Sequence, residues 1–348
     1  MKIRNLLFLT LILITLFGCG KSGSDKNRPN IHKPFSWGKF NDIYAFADNQ
    51  IWDYGQLKLH ENLERMFYTT SNEKYFTLER KKIAAIKQNY KFANLLFFCD
   101  VHSNKPVSEY VKKLLPDKVA TISDSLSATM IATKDLWVQN QTVIFVIGKD
   151  VESVLLYTFE NITRIFEVFQ NRRMQRLKRL VYKTGLNKKE MEYEREHYPW
   201  ELKLPKGYIT FKRDDESNFV SYLLRVKKYP DRFLGIYWEK MPENIVNKEW
   251  LRNKRLMIGK KYYEGDEFYL KDVIQQKYKF ESFNGFKLFG KWQNETNCTG
   301  GAFASFAFYD KEQKIAYLID NSVYFPEGDK LIALMKLEII SKTFHTKK

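Results

Sequence analysis

"DVESVLLYTFENITRIFEVFQNRRMQRLKRLVY", residues 150–182, is the longest helical signal in the chain, and it divides two unlike halves. Asp150 is suited to cap the helix start, because a short carboxylate can accept from the free backbone N–H groups of a first turn. Val151, Leu155, Ile162, Ile165, Phe166 and Phe169 recur at helical spacing and make one apolar face. Upstream, strand patterns alternate with short helices. DIYAFA (42–47), YFTLERKKIAAI (75–86) and FANLLFFCDV (92–101) read as strands, and a helix is expected around 57–68. Pro106 opens a further helix that Pro116 closes, and 128–148 reads as two strands around a polar turn.

Downstream, a second helix is expected over 187–198, and Pro199 and Pro205 lead into extended segments ending in a helix over 329–343. The expected fold class is α+β, with two α/β layered domains of mixed and antiparallel sheets joined by a long amphipathic helix. The expected boundaries are a signal peptide at 1–18, a lipid-anchored tether at 19–32, and an N-terminal domain at 33–150. A basic helical connector at 151–198 and an antiparallel C-terminal domain at 199–348 complete the chain.

The far end of the central helix changes character. Arg172, Arg173, Arg176, Lys178, Arg179, Lys183, Lys188 and Lys189 follow one another with no acid among residues 171–189. The macrodipole favours cations near a helix C-terminus, but only by about 0.3–1 kcal/mol each at an exposed surface. Eight charges exceed what capping needs, so Arg172, Arg173, Arg176 and Arg179 are the expected surface for an anionic partner. The formal net charge of +17 agrees with such a surface. The excess is mostly lysine in a chain also rich in Asn, Ile, Phe and Tyr, which equally describes a solvated basic exterior.

At the N-terminus, Lys2 and Arg4 precede an apolar run from Leu6 to Phe17 broken only by Thr10 and Thr15. A run of about a dozen residues is too short to span a bilayer core, which needs about 20, and has the length of a signal-peptide core. Leu16-Phe17-Gly18-Cys19 resembles a bacterial lipobox. Cleavage is then expected between Gly18 and Cys19, with Cys19 carrying the lipid. Several acyl chains anchor a protein stably where one does not. Gly20, rather than an aspartate, follows the cysteine, and the first charge is Lys21. The expected location is the outer membrane, lipid-anchored and facing the periplasm, with 20–30 (GKSGSDKNRPN) as a flexible tether. Nucleic acid is not an expected partner there.

Cys99 and Cys298 remain after Cys19, and one disulfide is open to them in an oxidising compartment. Cys99 lies in an apolar strand pattern, where cysteine behaves as a small apolar residue. Ser71-Asn72-Glu73-Lys74, Ser123-Asp124-Ser125 and Lys183-Thr184-Gly185 imitate the ordered motifs of penicillin-binding proteins. Ser71 does not open a helix, however, and Lys183 is not on a strand. His32, His60, His102, His197 and His345 have no metal-ligand spacing, and Asp214-Asp215-Glu216 reads as a turn. Neither a metal nor a cofactor is expected, and no catalytic residue is assigned. NCTGGAFASF (297–306) places two glycines in a strand-rich segment. Trp292, Gly300 and Gly301 are a candidate contact region, with a bulge or tight turn as the plainer explanation.

The chain resembles a family of bacterial envelope lipoproteins catalogued as domain of unknown function 4837. The resemblance is carried by Lys33-Pro34 with Gly38, LPKGY (204–208), and Tyr262-Tyr263-Glu264-Gly265. It continues in Asn284-Gly285, Gly290-Lys291-Trp292 and Gly300-Gly301-Ala302-Phe303-Ala304-Ser305. It implies an envelope lipoprotein over most of the mature chain and no activity to transfer. The C-terminal strands and last helix also resemble the sandwich of PsbP-like and Mog1-like binding modules. The expected function is a non-enzymatic binding or assembly factor of the cell envelope. Its partners would be the membrane through the anchor, and an envelope protein or an anionic lipid or glycan. The alternative is a hydrolase acting on an envelope polymer. A structural peptidoglycan tether would need a glycan groove that no motif announces.

Overall fold

Strand β1 (Asp42–Phe46) is followed at once by α1 (Asn49–Leu63). A short hairpin of β2 (Met66–Tyr68) and β3 (Asn72–Lys74) leads to β4 (Thr77–Arg80). One helical turn, α2 (Ile86–Asn89), precedes β5 (Asn94–Asp100), α3 (Pro106–Leu114) and α4 (Pro116–Val119). The antiparallel pair β6 (Ala128–Lys134) and β7 (Thr142–Gly148) ends this half. The structure, a computed structural model, describes residues 33–122 and 126–347. From Phe35 onward the described residues hold together as one compact unit.

Five strands form one mixed sheet in the order β4–β1–β5–β7–β6, parallel except at β6. Strands β5 and β7 are apolar almost throughout, so they occupy the interior, where both faces can be covered. Ile51, Trp52, Leu59 and Leu63 of α1 pack on one face, and Val107 and Val111 of α3 on the other.

The signal at 150–182 is two helices, α5 (Val151–Glu160) and α6 (Ile162–Val181). Asp150 Oδ1 does accept from Ser153 N, at 2.8 Å. The break falls at Asn161, whose Nδ2 donates to Tyr157 O at 2.9 Å. A side chain that competes for helix carbonyls in this way disfavours the helix interior. Helix α6 packs against α1, β7 and the C-terminal helix, so it is interior scaffolding as well as a connection.

The remaining elements begin with α7 (Lys188–His197), β8 (Trp200–Glu201), β9 (Ile209–Asp214), β10 (Phe219–Leu224) and β11 (Asp231–Lys240). Helix α8 (Lys248–Tyr262) then precedes β12 (Val273–Phe280), β13 (Phe283–Asn294), β14 (Thr299–Asp310) and β15 (Ile315–Tyr324). Helix α9 (Leu331–Ser341) and β16 (His345–Thr346) end the chain. Seven strands make an antiparallel sheet, β12–β13–β14–β15–β11–β10–β9, with α9 on one face and α8 on the other. The expected α+β architecture of mixed and antiparallel sheets is therefore present.

Local expectations were displaced in three places. Helix α1 starts eight residues before the expected Leu57 and ends at Leu63. The strand expected over 75–86 is confined to β4. Helix α8 had no counterpart in the sequence reading, because its buried face includes Arg255 and Gly259 beside Trp250, Leu251, Ile258 and Tyr262, which blurs the apolar period. Its start is nonetheless well marked, since Asn247 Oδ1 accepts from Glu249 N at 2.9 Å and Trp250 N at 3.0 Å.

One buried acid ties α7 to the sheet. Glu194 is buried and accepts from Tyr222 Oη at 2.6 Å. Burial pushes its carboxyl up from 4.5 to about 7. Its stabilising contribution is complete below the unfolded value and is lost as pH rises through about 7. Glu194→Gln should therefore raise the stability read by urea unfolding at pH 8, by an amount on the order of 1–3 kcal/mol, and leave it near wild type at pH 5. Equal shifts at the two pH values would contradict this assignment.

Candidate functional site

Among the described residues, cavities of about 420–950 Å³ include two with an extensive side-chain lining. The first, of about 950 Å³, lies at the carboxyl ends of β1, β4 and β5. There α1 leaves for one face of the sheet and α3 for the other, the position where open α/β sheets commonly bind ligands. Several of its charged groups are already engaged, while Asp53, Lys82 and Lys105 also line it. Asp48 Oδ1 accepts from Val107 N at 3.0 Å, and its Oδ2 from Ser108 N at 3.0 Å and Ser108 Oγ at 2.7 Å, so this carboxylate fills the start of α3. Arg80 donates to Ala47 O at 3.0 Å and Asn49 Oδ1 at 2.6 Å, and Lys81 pairs with Glu79.

The second cavity, of about 420 Å³, opens on the α8 face of the antiparallel sheet. Phe211, Phe233 and Tyr263 form one aromatic wall, with Phe211 and Phe233 edge to face at 5.3 Å and Phe233 and Tyr263 at 5.7 Å. Trp292 and Tyr324 form the other, with ring centroids 6.2 Å apart. Strand register explains that pair. Trp292 of β13 lies opposite Gly301 of β14, which lies opposite Tyr324 of β15. A Cβ on Gly301 would stand 2.0 Å from Val323 O and 2.6 Å from Trp292 Cε2, so only glycine lets the indole lie against β14.

The polar side of this cavity comes from the turn after α8. Glu264 and Gly265 adopt left-handed φ values of 57° and 100°, which reverses the chain. Gly265 N then donates to Gly259 O at 3.1 Å. Gly259 has no space for a Cβ, which would be 1.9 Å from Asp266 O, so the returning segment lies directly on the helix. This turns Asp266 inward, where it is only 8% exposed. Asn294 Nδ2 donates to Asp266 Oδ1 and to Glu264 O, each at 3.0 Å. Asp266 Oδ2 has no hydrogen-bond partner among the described residues. Burial pushes the Asp266 carboxyl up to about 6, with Asp320 and Glu264 adding to the rise and Asn294 and Arg255 opposing it.

Behind this wall lies a buried ion pair. Ser221, Gly235, Asp320 and Ser305 are successive cross-strand neighbours, a small and polar row beneath α8. The row leaves room for Arg255, whose Nε is 2.8 Å from Asp320 Oδ1. Ser305 Oγ donates to the same oxygen at 2.5 Å, and the guanidinium lies 4.8 Å from the centre of the Phe303 ring.

The expected arginine surface is not a surface. Arg172, Arg173 and Arg176 are 5%, 0% and 2% exposed, and only Arg179 faces solvent. Arg172 pairs with Asp135 at 2.7 Å, and Arg173 donates to Tyr75 O and Gln170. Arg176 donates to Asn94 Oδ1 at 2.7 Å, Ala93 O at 2.9 Å and Thr142 Oγ1 at 2.8 Å. The physical reason is that the starts of β5 and β7 present acceptors which a planar guanidinium can satisfy together. Burial pulls Arg173 and Arg176 down to about 10 and about 9, so both remain protonated at neutral pH.

Of the second expected region, Trp292 lines the aromatic cavity, Gly301 seats it, and Gly300 borders a separate shallow dip beside Ser71. The paired glycines make neither a bulge nor a turn, since β14 pairs with β13 in unbroken register. Cys99 is buried, Cys298 is exposed, and both are free thiols. Gly18, Cys19, Ser123, Asp124 and Ser125 lie outside the described residues. Lys74 pairs with Glu64 at 2.6 Å, and Asp214 with Lys261 at 2.8 Å. Among the described residues no group of three or more His, Cys, Asp or Glu could hold a metal ion, and no helix is long and apolar enough to cross a membrane. Tyr263, Glu264 and Asp266 were not read as site residues. Their signal was an acidic cluster in KKYYEGDEF (260–268), after a helix that the apolar period did not reveal.

Residues 186–343 match the family model described as a domain of unknown function, DUF4837. Residues 36–182 match a different one, the domain of unknown function DUF8532, so the resemblance expected over most of the mature chain is confined to its C-terminal half. No curated protein matches the sequence. Among solved structures, the Ran-binding protein Mog1p of Saccharomyces cerevisiae is similar with a TM-score of 0.31 and 9% identity, over 42% of this chain and 90% of that one. LpqN of Mycobacterium tuberculosis, described as involved in cell envelope biogenesis, is similar with a TM-score of 0.25 and 11% identity, over 42% of this chain and 81% of that one. At such scores the likeness says nothing of function.

Proposed function

We propose that this protein is a non-enzymatic binding or assembly factor of the cell envelope. It is held on the periplasmic face of the outer membrane by lipid on Cys19, and the aromatic cavity beside α8 is its binding site. The observation that carries the binding role is Asp266, a buried carboxylate with one unengaged oxygen at the edge of an aromatic cavity. Ligand sites are typically concave, largely apolar and furnished with a few convergent polar groups. The lipobox-like Leu16-Phe17-Gly18-Cys19 supports the anchor. An anionic partner at the arginine cluster is not retained, because three of its four guanidiniums are spent inside the fold.

The hydrolase alternative draws on one observation, the rise of the Asp266 carboxyl to about 6, which suits a general acid. Release of reducing ends from purified envelope polymer, lost in Asp266→Asn, would favour it over the binder. The anchor is tested by metabolic palmitate labelling and membrane fractionation. The wild type should take the label and sediment with outer membranes, whereas Cys19→Ala should lose both properties. An unlabelled, soluble wild type would remove the anchor. In-cell crosslinking of the two forms would then identify the partner.

A further inference from the structure

We propose that the cavity beside α8 recognises a small ligand bearing an ammonium group, its cation held by Asp266 and Glu264 between the two aromatic walls. This rests on the reading of that cavity as a binding site. Three observations converge on a cation. The first is charge. On a chain of formal charge +17, this cavity is acidic, since the Arg225–Asp231 pair at 2.8 Å and the Arg255–Asp320 pair behind it cancel internally. Asp266 and Glu264 are left over, and Arg225 is the one cation lining the cavity among the described residues.

The second is the shape of the walls. Aromatic faces carry negative potential and attract cations placed within about 6 Å of a ring centre, more strongly when the site is desolvated. Phe211, Phe233 and Tyr263 on one side and Trp292 and Tyr324 on the other provide such faces. The third is the unengaged Oδ2 of Asp266. That oxygen keeps access to the cavity, and an incoming ammonium supplies both charge and donors to a carboxyl otherwise largely desolvated. An anionic ligand would meet two carboxylates. A neutral hydroxyl would leave the charge uncompensated. The groups facing Asp266 are Arg255 from α8, Asp320 from β15, Asn294 from β13 and Glu264 from its own turn.

The test is calorimetric titration of the full chain in detergent with benzylamine, benzyl alcohol and benzoate, three probes alike in size and different in charge. Benzylamine should bind about tenfold more tightly than benzyl alcohol or better, and benzoate should not bind. Benzylamine affinity should weaken several-fold between pH 7.5 and pH 5 as Asp266 takes up its proton near pH 6. Asp266→Asn, which keeps an acceptor for Asn294, should lose about tenfold in benzylamine affinity while melting like wild type. If that variant folds poorly, Glu264→Gln should lose affinity to a smaller extent. Equal binding of amine and alcohol, with no effect of either variant, would overturn the ammonium assignment and leave the cavity as a site for neutral ligands. Failure of all three probes, in wild type and in the cavity-filling Thr299→Trp alike, would overturn the reading of the cavity itself.

Discussion

Arg255→Ala is expected to cost about 3–5 kcal/mol of folding stability, among the largest losses open to a single side chain here. The residue and its partner Asp320 are both fully buried between α8 and the sheet. Removing the guanidinium leaves the Asp320 carboxylate with a single hydroxyl donor, Ser305, in a fully buried place. It also empties a space bounded by Phe303 and the last turn of α8, so a cavity penalty adds to the electrostatic one. The double replacement Arg255→Met with Asp320→Leu should recover much of the loss, because a buried pair replaced together by apolar groups of similar volume is often neutral or stabilising. Urea unfolding of the three proteins, with the slope held constant, measures this. A loss below about 1 kcal/mol in Arg255→Ala would mean that the pair is solvated and that the face beneath α8 is open.

The second large effect is expected at Arg176. Arg176→Ala should destabilise by about 2–4 kcal/mol, since Asn94 Oδ1 and Thr142 Oγ1 lose their donor in a buried place and Ala93 O keeps only Thr142 N. Arg176→Lys should rescue little of it, because an ammonium cannot reach three acceptors arranged for a planar fork. Arg179→Ala, three residues along the same helix and exposed, should stay within about 0.5 kcal/mol of wild type. Thermal melts of the three variants separate these outcomes. Equal effects of Arg176→Ala and Arg179→Ala would return the cluster to the surface.

These expectations invert what the arginine run suggests when read along the chain. Lys and Arg in a row signal a solvated or partner-binding face because charge is costly to bury. Arginine departs from that rule more often than lysine, since its guanidinium is weakly hydrated and its donors are spread in a plane. Nothing in "NRRMQRLKRL" (171–180) marks Arg176 as different from Arg179; the difference is made by Asn94 and Thr142, which are distant in sequence. The aromatic site was half legible in the same way. Trp292 and the glycine pair attracted notice as residues unusual for a strand. Asp266 and Tyr263 did not, because the helix that delivers them buries a charged residue and a glycine on its inner face.

The sequence by itself determined the features that depend on near neighbours. The apolar runs at 94–100 and 142–148 required buried strands, Asp150 announced a helix start, and the extended segments after Pro205 pointed to an antiparallel sheet. Each is set by periodicity and by backbone hydrogen bonds within a few residues. The tertiary structure decided the inward turn of three arginines and the meeting of Phe211, Asp266, Trp292 and Tyr324 around one cavity. The reason is that a side chain's burial is fixed by what lies opposite it. A guanidinium or carboxylate moves inside only where distant backbone acceptors, a counter-charge or a glycine-made space await it, and those arrive by strand register rather than by adjacency.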